Sequence, residues 1–380
     1  MTGESWVQQD LFGPEPLPDP LLCWLWLACT LGPASPRAGR VLDWCGGDPC
    51  LAWEARATTD FRQAAGAGAA RRAVSPGNTP EAFRPVLDRC RALGVEVIPF
   101  DHPDYPLALT RIPDMPLVLY CTGDPAWLNA PALVGMVGTR RPDPYGQQAA
   151  ENLGRALARA GAVIVSGLAD GLDSECHRAA VAEHAPTIGV QGVPIDRTYP
   201  ASNRALREKI EANGCVVGEY PPGLDGIGRN GFLQRNRLIA GLARALVVVQ
   251  ARERSGTMST VAHAERYGRP VWALPADVGR EDSAGSNRLI QSGRARMVLT
   301  AEDMLEPLGL SAAAPAPAVQ APPLTDAERK VLACAGGEAV SLEELAARCG
   351  MQAAALAPVL MRLELSGRVK MLPGQRYIFL

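Results

Sequence analysis

Residues Phe232–Thr260 read FLQRNRLIAGLARALVVVQARERSGTMST. Arg235-Asn236-Arg237 leads into an apolar helical pattern, Leu238, Ile239 and Leu242, and Ala245–Val249 follows as a short β-branched run of the buried-strand type. Ser255-Gly256-Thr257 is a small-residue loop that opens another helix. Cations before a strand and backbone donors after it are what an anionic ligand needs at the carboxyl edge of a parallel sheet. The competing reading is a core strand flanked by solvated arginines, and the surrounding chain decides between the two.

Upstream, strands and helices alternate. Leu133–Val137 reads as a strand, Tyr145–Ala160 as a helix, Ala162–Val165 as a strand, Asp173–His184 as a helix, Thr187–Gln191 as a strand, Ser202–Asn213 as a helix and Cys215–Val217 as a strand. Downstream come the helix Met258–Tyr267, the strand Val271–Leu274, the helix Ser286–Gln291, a strand near Met297 and the helix Ala301–Leu308. Such alternation predicts an α/β fold, a Rossmann-like, doubly wound parallel sheet covered on both faces. Before it, Val95–Phe100 reads as a strand and Ile112–Tyr120 as a proline-punctuated extended lead-in.

The expected organisation is a loose tail at 1–20, a small helical domain of the helix-hairpin-helix or sterile-alpha-motif kind at 21–93, the core at 94–310, a Pro/Ala linker at 311–323 and a winged-helix domain at 324–380. Ala64–Ala70 reads as a flexible break. In the last domain Ser341 and Glu344 stand at capping-box spacing, and Val369–Leu372 and Tyr377–Leu380 flank Pro373-Gly374 as a hairpin. Its third helix, Ala353–Ser366, carries only Arg362 as a cation, with Glu364 close by, which favours protein contact over groove reading.

A formal charge of −2 excludes a uniformly basic nucleic-acid binder, so any anion site must be local. Between Gly135 and Thr300 there are 21 Arg and Lys against 16 Asp and Glu, and Lys209 is the only lysine, a bias that suits bidentate phosphate contact or reflects genome composition. The ten cysteines form no CxxC pair, Cys45 and Cys50 being nearest in sequence, which indicates free thiols in a reducing compartment rather than a metal site. Leu21–Leu31 is too short and too acidic upstream for a membrane anchor or signal, so a cytoplasmic protein without membrane association is expected.

Small or basic residues follow each core strand. Gly138-Thr139-Arg140-Arg141 comes after the first, Ser166-Gly167 after the second, and Tyr199-Pro200-Ala201-Ser202-Asn203-Arg204 after the third; the Arg235/Arg237 pair and Ser255-Gly256-Thr257 complete the set. Each alone is a common turn, but together on one sheet edge they converge on one crevice, with glycine amides and hydroxyls as neutral donors.

These segments resemble the DNA-processing protein A (DprA, or Smf) family. The resemblance rests on YPLALTRIPDMPLVLY, VGTRRPDPYG, VSGLADGLDSECHRAA, YPASN, RNRLIAGL, VVVQA, SGTMSTVAHA, GRPVWALPADVG and SAGSNRLIQSG, in that order, from about Tyr105 to Asp303. It implies a non-enzymatic protein, without metal or cofactor, that binds and protects single-stranded DNA, helps load the RecA recombinase and forms homodimers through the Rossmann-like domain. It places Thr139 and Arg140 in the family's glycine-serine-arginine turn, and matches Ser166, Gly167, Asn203, Arg235, Asn236 and Arg237 to pocket motifs. Ala201, Asp170, Gln250, Ala276 and Gly218 depart from the family pattern, and Arg204 is the candidate to supply the phosphate interaction that Ala201 cannot make. Phosphates would lie on Arg140, Arg235 and Arg237 with backbone donors at Gly138, Gly167 and Gly256; arginine stacking and Phe232 are the candidates for base contact.

The competing class is a nucleotide phosphoribohydrolase-like enzyme of the same Rossmann variant, with a GGxGTxxE motif. Aligning Gly256-Thr257 with it puts Thr260 where the catalytic glutamate belongs. A nicotinamide dehydrogenase is disfavoured because GxGxxG is absent after the first strand. Asp173 and His177, one helical turn apart, suggest either a catalytic pair or a capping Asp with a surface or interdomain His, and the second is favoured.

Overall fold

Asp19 accepts a hydrogen bond from the Leu21 amide at 2.9 Å and Pro20 fills the first turn, so α1 (Pro20–Leu31) starts where a side chain can replace the missing helical acceptor. Leu22 to Leu27 are all buried, so this helix is covered on every side by protein. Around it pack α2 (Ala38–Trp44), α3 (Pro49–Glu54), α4 (Thr59–Ala65), α5 (Ala67–Ala73) and α6 (Arg84–Ala92). The expected flexible break at 64–70 is helical instead: alanine favours helix, Gly66 at φ 86° turns α4 into α5, and Arg37 donates to the Gln63 and Ala64 carbonyls at 3.3 and 3.2 Å. The computed structural model describes residues 18–225, 228, 230–311, 324–334, 340–365, 368–372 and 376–379. Most of the expected tail and linker, and the Gly367 and Pro373-Gly374 positions, therefore lie outside the described residues. Among the described residues no helix is long and apolar enough to cross a membrane.

Among the described residues nine strands form one sheet: β1 (Glu96–Pro99), β2 (Val118–Gly123), β3 (Leu133–Val137), β4 (Val163–Ser166), β5 (Thr187–Gln191), β6 (Cys215–Gly218), β7 (Ala245–Val248), β8 (Val271–Ala273) and β9 (Arg296–Met297). Their order is β1-β2-β6-β5-β4-β3-β7-β8-β9, and the run from β6 to β9 is parallel. The segment read as an extended lead-in ends in β2, an antiparallel strand that pairs with β6 and carries β1 on its outer side. The connecting helices are α7 (Pro144–Arg159), α8 (Leu172–Ala182), α9 (Arg204–Asn213), α10 (Asn230–Leu242), α11 (Thr257–Arg266), α12 (Ala284–Gln291) and α13 (Glu302–Leu308).

Alternation along the strands sends side chains to two cores. Leu133, Val137, Val163, Val165, Leu246 and Val248 join α10, α11 and the N-terminal helices in one, while Val134, Met136, Ile164 and Val247 join α7, α8 and α13 in the other. The chain divides into two compact units, Met1–Ala313 and Ala314–Leu380. The second has α14 (Asp326–Ala333), α15 (Leu342–Cys349) and α16 (Ala353–Leu365) with a sheet in the order β10-β12-β11, formed by β10 (Val340–Ser341), β11 (Val369–Leu372) and β12 (Arg376–Phe379). Capping boxes at Thr325/Glu328 and Ser341/Glu344 open α14 and α15, and Arg362 of α16 pairs with Glu328 at 3.2 Å.

On α10 the two arginines of the RNR run diverge, because residues two apart on a helix point to opposite sides. Arg237 is 1% exposed and ion-paired with Glu219, just beyond β6, while its Nε and Nη1 have no hydrogen-bond partner. Burial raises the Glu219 carboxyl above its ordinary range, against the lowering effect of Arg237. Removing one member leaves an uncompensated buried charge, so Arg237→Ala should cost about 3–5 kcal/mol in urea denaturation. The double variant Glu219→Gln/Arg237→Met should lose clearly less; equal losses would show that the pair is not what holds this region.

Candidate nucleic-acid interface

The parallel strands end at one edge, where their following loops meet over a cavity of about 250 Å³. Gly138, Thr139 and Arg140 reach it from the end of β3, and Ala169 and Asp173 from beyond β4. Phe232, Leu233, Arg235, Asn236 and Ile239 come from α10, and Ser255, Gly256, Thr257 and Thr260 from the start of α11. The loops are tied to one another. The Thr139 amide donates to the Gln250 carbonyl at 2.8 Å, the Leu172 amide to the Thr139 carbonyl at 3.1 Å, the Thr257 hydroxyl to the Gly138 carbonyl at 3.1 Å and Asn236 Nδ2 to the Gly256 carbonyl at 3.4 Å. Gln250 is a fully buried hub: its Nε2 donates to Ser283 Oγ at 3.0 Å and its Oε1 accepts from the Asp143 amide at 3.3 Å.

Arg235 is 4% exposed. Its Nη1 donates to the Val190 carbonyl at 2.6 Å, and its Nε, although buried, has no hydrogen-bond partner. Burial pulls this guanidinium down to about 10, opposed by Asp173, so it stays cationic at neutral pH. A fixed charge with a spare donor, beside a ten-residue helix whose cap Gly256 supplies no side-chain hydrogen bond, is suited to an anion. Arg140 is exposed and has no carboxylate partner among the described residues, as is also true of Arg141 and Arg254. Its guanidinium carbon lies 5.4 Å from the Phe232 ring centre, and Phe232 in turn lies 5.0 Å from the Tyr199 ring at 44°. Tyr199 is half exposed, which makes an open cation–aromatic–aromatic ladder on the rim.

Nine of the expected site residues line the cavity: Gly138, Thr139, Arg140, Phe232, Arg235, Asn236, Ser255, Gly256 and Thr257. Three others stand behind the lining residues. The buried Ser166 hydroxyl donates to the Met136 carbonyl at 2.6 Å, and Asn203 Nδ2 donates to the Leu168 carbonyl and Ser174 Oγ, both at 2.9 Å. Gly167 lies directly under Arg235 and Asp173, where a methyl group would overlap Arg235 Nη1 and Asp173 Oδ2. The remaining two lie elsewhere. Arg204 is solvent-exposed beside Glu208 at 3.4 Å, and Arg237 is the buried partner of Glu219. Asp170 is exposed, with Ser202 Oγ 3.4 Å away.

His177 is not a surface or interdomain residue. It is fully buried, its Nδ1 lies 2.8 Å from the Thr187 hydroxyl, and burial pushes it down to about 3, so it stays neutral. Tyr199 as a ring contact, and Gln250 as the hub, are contributions that the motif reading does not assign. Both depend on segments distant in sequence, and the Tyr-Pro motif is the only local signal for the first. All described cysteines are free thiols, and Cys23 and Cys50, rather than Cys45 and Cys50, are neighbours, with 3.3 Å between their sulfurs.

These features define an α/β protein with a Rossmann-like sheet and a C-terminal winged-helix unit, and comparison with known proteins narrows the class. A family model described as DNA recombination-mediator protein A matches residues 96–309, and one described as the DprA winged helix domain matches residues 312–375. The chain belongs to this DprA/Smf family. It is 36% identical over 241 residues to the DNA processing protein DprA of Bacillus subtilis, covering 62% of this chain and 80% of that protein. The X-ray structure of DprA from Streptococcus pneumoniae is similar with a TM-score of 0.63 at 29% identity, covering 75% of this chain and 97% of that one. A structure of DNA processing protein A from Helicobacter pylori, described for its single-stranded DNA binding mode, is similar with a TM-score of 0.51 at 34% identity, covering 56% and 95%.

The close approach at Gly167 is testable against the open position at Gly256, which has nothing within 4 Å of where a Cβ would stand. Gly167→Ala should lower stability by about 1–3 kcal/mol through overpacking and displace Arg235, whereas Gly256→Ala should melt like the parent protein. Equal melting temperatures for both variants would contradict the packing described.

Proposed function

We propose that this chain binds single-stranded DNA along the carboxyl edge of its sheet, protects it and helps load the RecA recombinase on it. It acts in the cytoplasm as a homodimer through the Rossmann-like domain, by binding rather than catalysis. The observation that carries this reading is the ladder Arg140–Phe232–Tyr199 on the rim of a cleft floored by Arg235 and the start of α11. A cation beside two tilted aromatic rings suits a flexible strand whose phosphate and base are both accessible, and a cleft of about 250 Å³ admits a nucleotide unit but not a duplex. The single-stranded DNA binding ascribed to the Helicobacter pylori relative supports the same assignment. Thr260 stands where the hydrolase reading needs a glutamate, and Glu253 is engaged by Arg288 at 3.3 Å, which also favours binding over base release. The winged-helix unit serves protein contact in this reading, since the one cation of α16, Arg362, is engaged by Glu328.

Fluorescence anisotropy with a labelled single strand, a matching duplex and competing mononucleotide tests the assignment. Tight, salt-sensitive binding of the single strand with little competition is expected; strong mononucleotide competition with base release would favour the hydrolase. Arg140→Ala should weaken single-strand binding by roughly tenfold and flatten the salt slope by about one ion. Tyr199→Ala and Phe232→Ala should each cost about 1–3 kcal/mol while leaving that slope unchanged. Unaltered affinity in all three variants would remove the ladder from the interface.

A further inference from the structure

The cleft contains one carboxylate among its described lining residues, Asp173, placed beside the cations that would hold a phosphate. It is 8% exposed, in the first turn of α8. Arg235 faces it from α10 and Arg140 from the loop after β3, while the Ser166 hydroxyl and Gly167 lie at the end of β4. Glu175, Cys176 and His177 follow on its own helix. Asp173 Oδ2 and Arg235 Nη1 crowd the same side of Gly167, yet Asp173 makes no direct ion pair among the described residues. The carboxylate therefore offsets the Arg235 charge without occupying its free Nε. An arriving phosphate would engage that guanidinium and bring a second negative charge into the same small cavity.

We propose that Asp173 is the proton-linked gate of this cleft: as an anionic ligand engages Arg235, the Asp173 carboxylate takes a proton from solvent, so affinity for a phosphodiester strand rises as pH falls. The inference rests on the reading of this cleft as the phosphate site. Burial already raises the Asp173 carboxyl above its ordinary range, while Arg235 and Arg140 hold it down. A ligand that neutralises those two cations removes their share of the restraint and leaves only the local hydrogen bonding, chiefly that of the Ala169 backbone, so the carboxyl rises further in the complex. Proton uptake then falls between the free and bound values, both above the usual carboxylate range. Neither neighbour confuses this window: His177, pushed down to about 3, remains neutral, and Arg235, at about 10, remains charged. Phosphodiesters do not titrate there.

The test uses the full chain and a labelled oligothymidylate at constant ionic strength, from about pH 5 to 8. Anisotropy should show affinity increasing towards acid, and calorimetry in two buffers of different ionisation enthalpy should show net uptake of part of a proton per site. Asp173→Asn should bind roughly tenfold tighter at the alkaline end and lose the pH slope, the equivalent of one unit of pKa displacement. Intact binding by the parent protein with no proton uptake would overturn the proposal without touching the phosphate assignment. Weaker binding by Asp173→Asn at every pH would also overturn it, making Asp173 only a positioning residue for Arg235. Failure of the parent protein to bind the strand at all would instead remove the functional reading and the inference with it. The calorimetric measurement needs no variant, so a misfolded Asp173→Asn protein does not rescue the proposal.

Discussion

Arg235 is a guanidinium withdrawn from water and held by one carbonyl, that of Val190, over a glycine that leaves it room. An arrangement of this kind persists only when surrounding structure determines it, because a buried cation with an unused donor is costly. Here the turn after β4 and the strand β5 supply the floor through Gly167 and Val190, and Asp173 offsets the charge. The cross-ties among Gly138, Thr139, Leu172 and Thr257 fix the loops around it. What remains open is the side on which Arg140, the two rings and the first turn of α11 face solvent. In the proposed reading, the cleft is ordered before any ligand arrives, which limits the ordering cost of binding.

The same helix that carries Arg235 also anchors the opposite side of the structure. Arg237, two residues on, enters the core shared by the sheet and the N-terminal helices and finds Glu219 beyond β6. One short run of sequence therefore serves two separate places, a cleft-lining cation on one face and a buried ion pair on the other. Helical periodicity alone separates them.

Much of this is legible in the chain. The alternation of β-branched runs and amphipathic helices announces the parallel sheet, and the small-residue loops after β3 and β4 and ahead of α11 mark the edge where the cleft lies. The strand β2 is hidden by the prolines just before it, Pro113 and Pro116, which make the segment read as an extended approach although β2 pairs antiparallel with β6. Arg237 groups with Arg235 when adjacency in sequence is weighed more heavily than helical rotation. Arg204 fits the site by its motif, yet its long side chain pairs with Glu208 at the surface. Tyr199 and Gln250 act through partners thirty or more residues away, and such tertiary pairings leave no local periodic signal.

The central claim is that a single strand lies on this sheet edge rather than on the winged-helix unit. Hydrogen exchange of the full chain, with and without a saturating single-stranded oligonucleotide, tests it most directly. Slowed exchange in segments covering 138–141, 232–236 and 255–258, with α16 unchanged, is the predicted result. Protection confined to residues 324–380, with the sheet edge exchanging as in the free protein, would contradict the account.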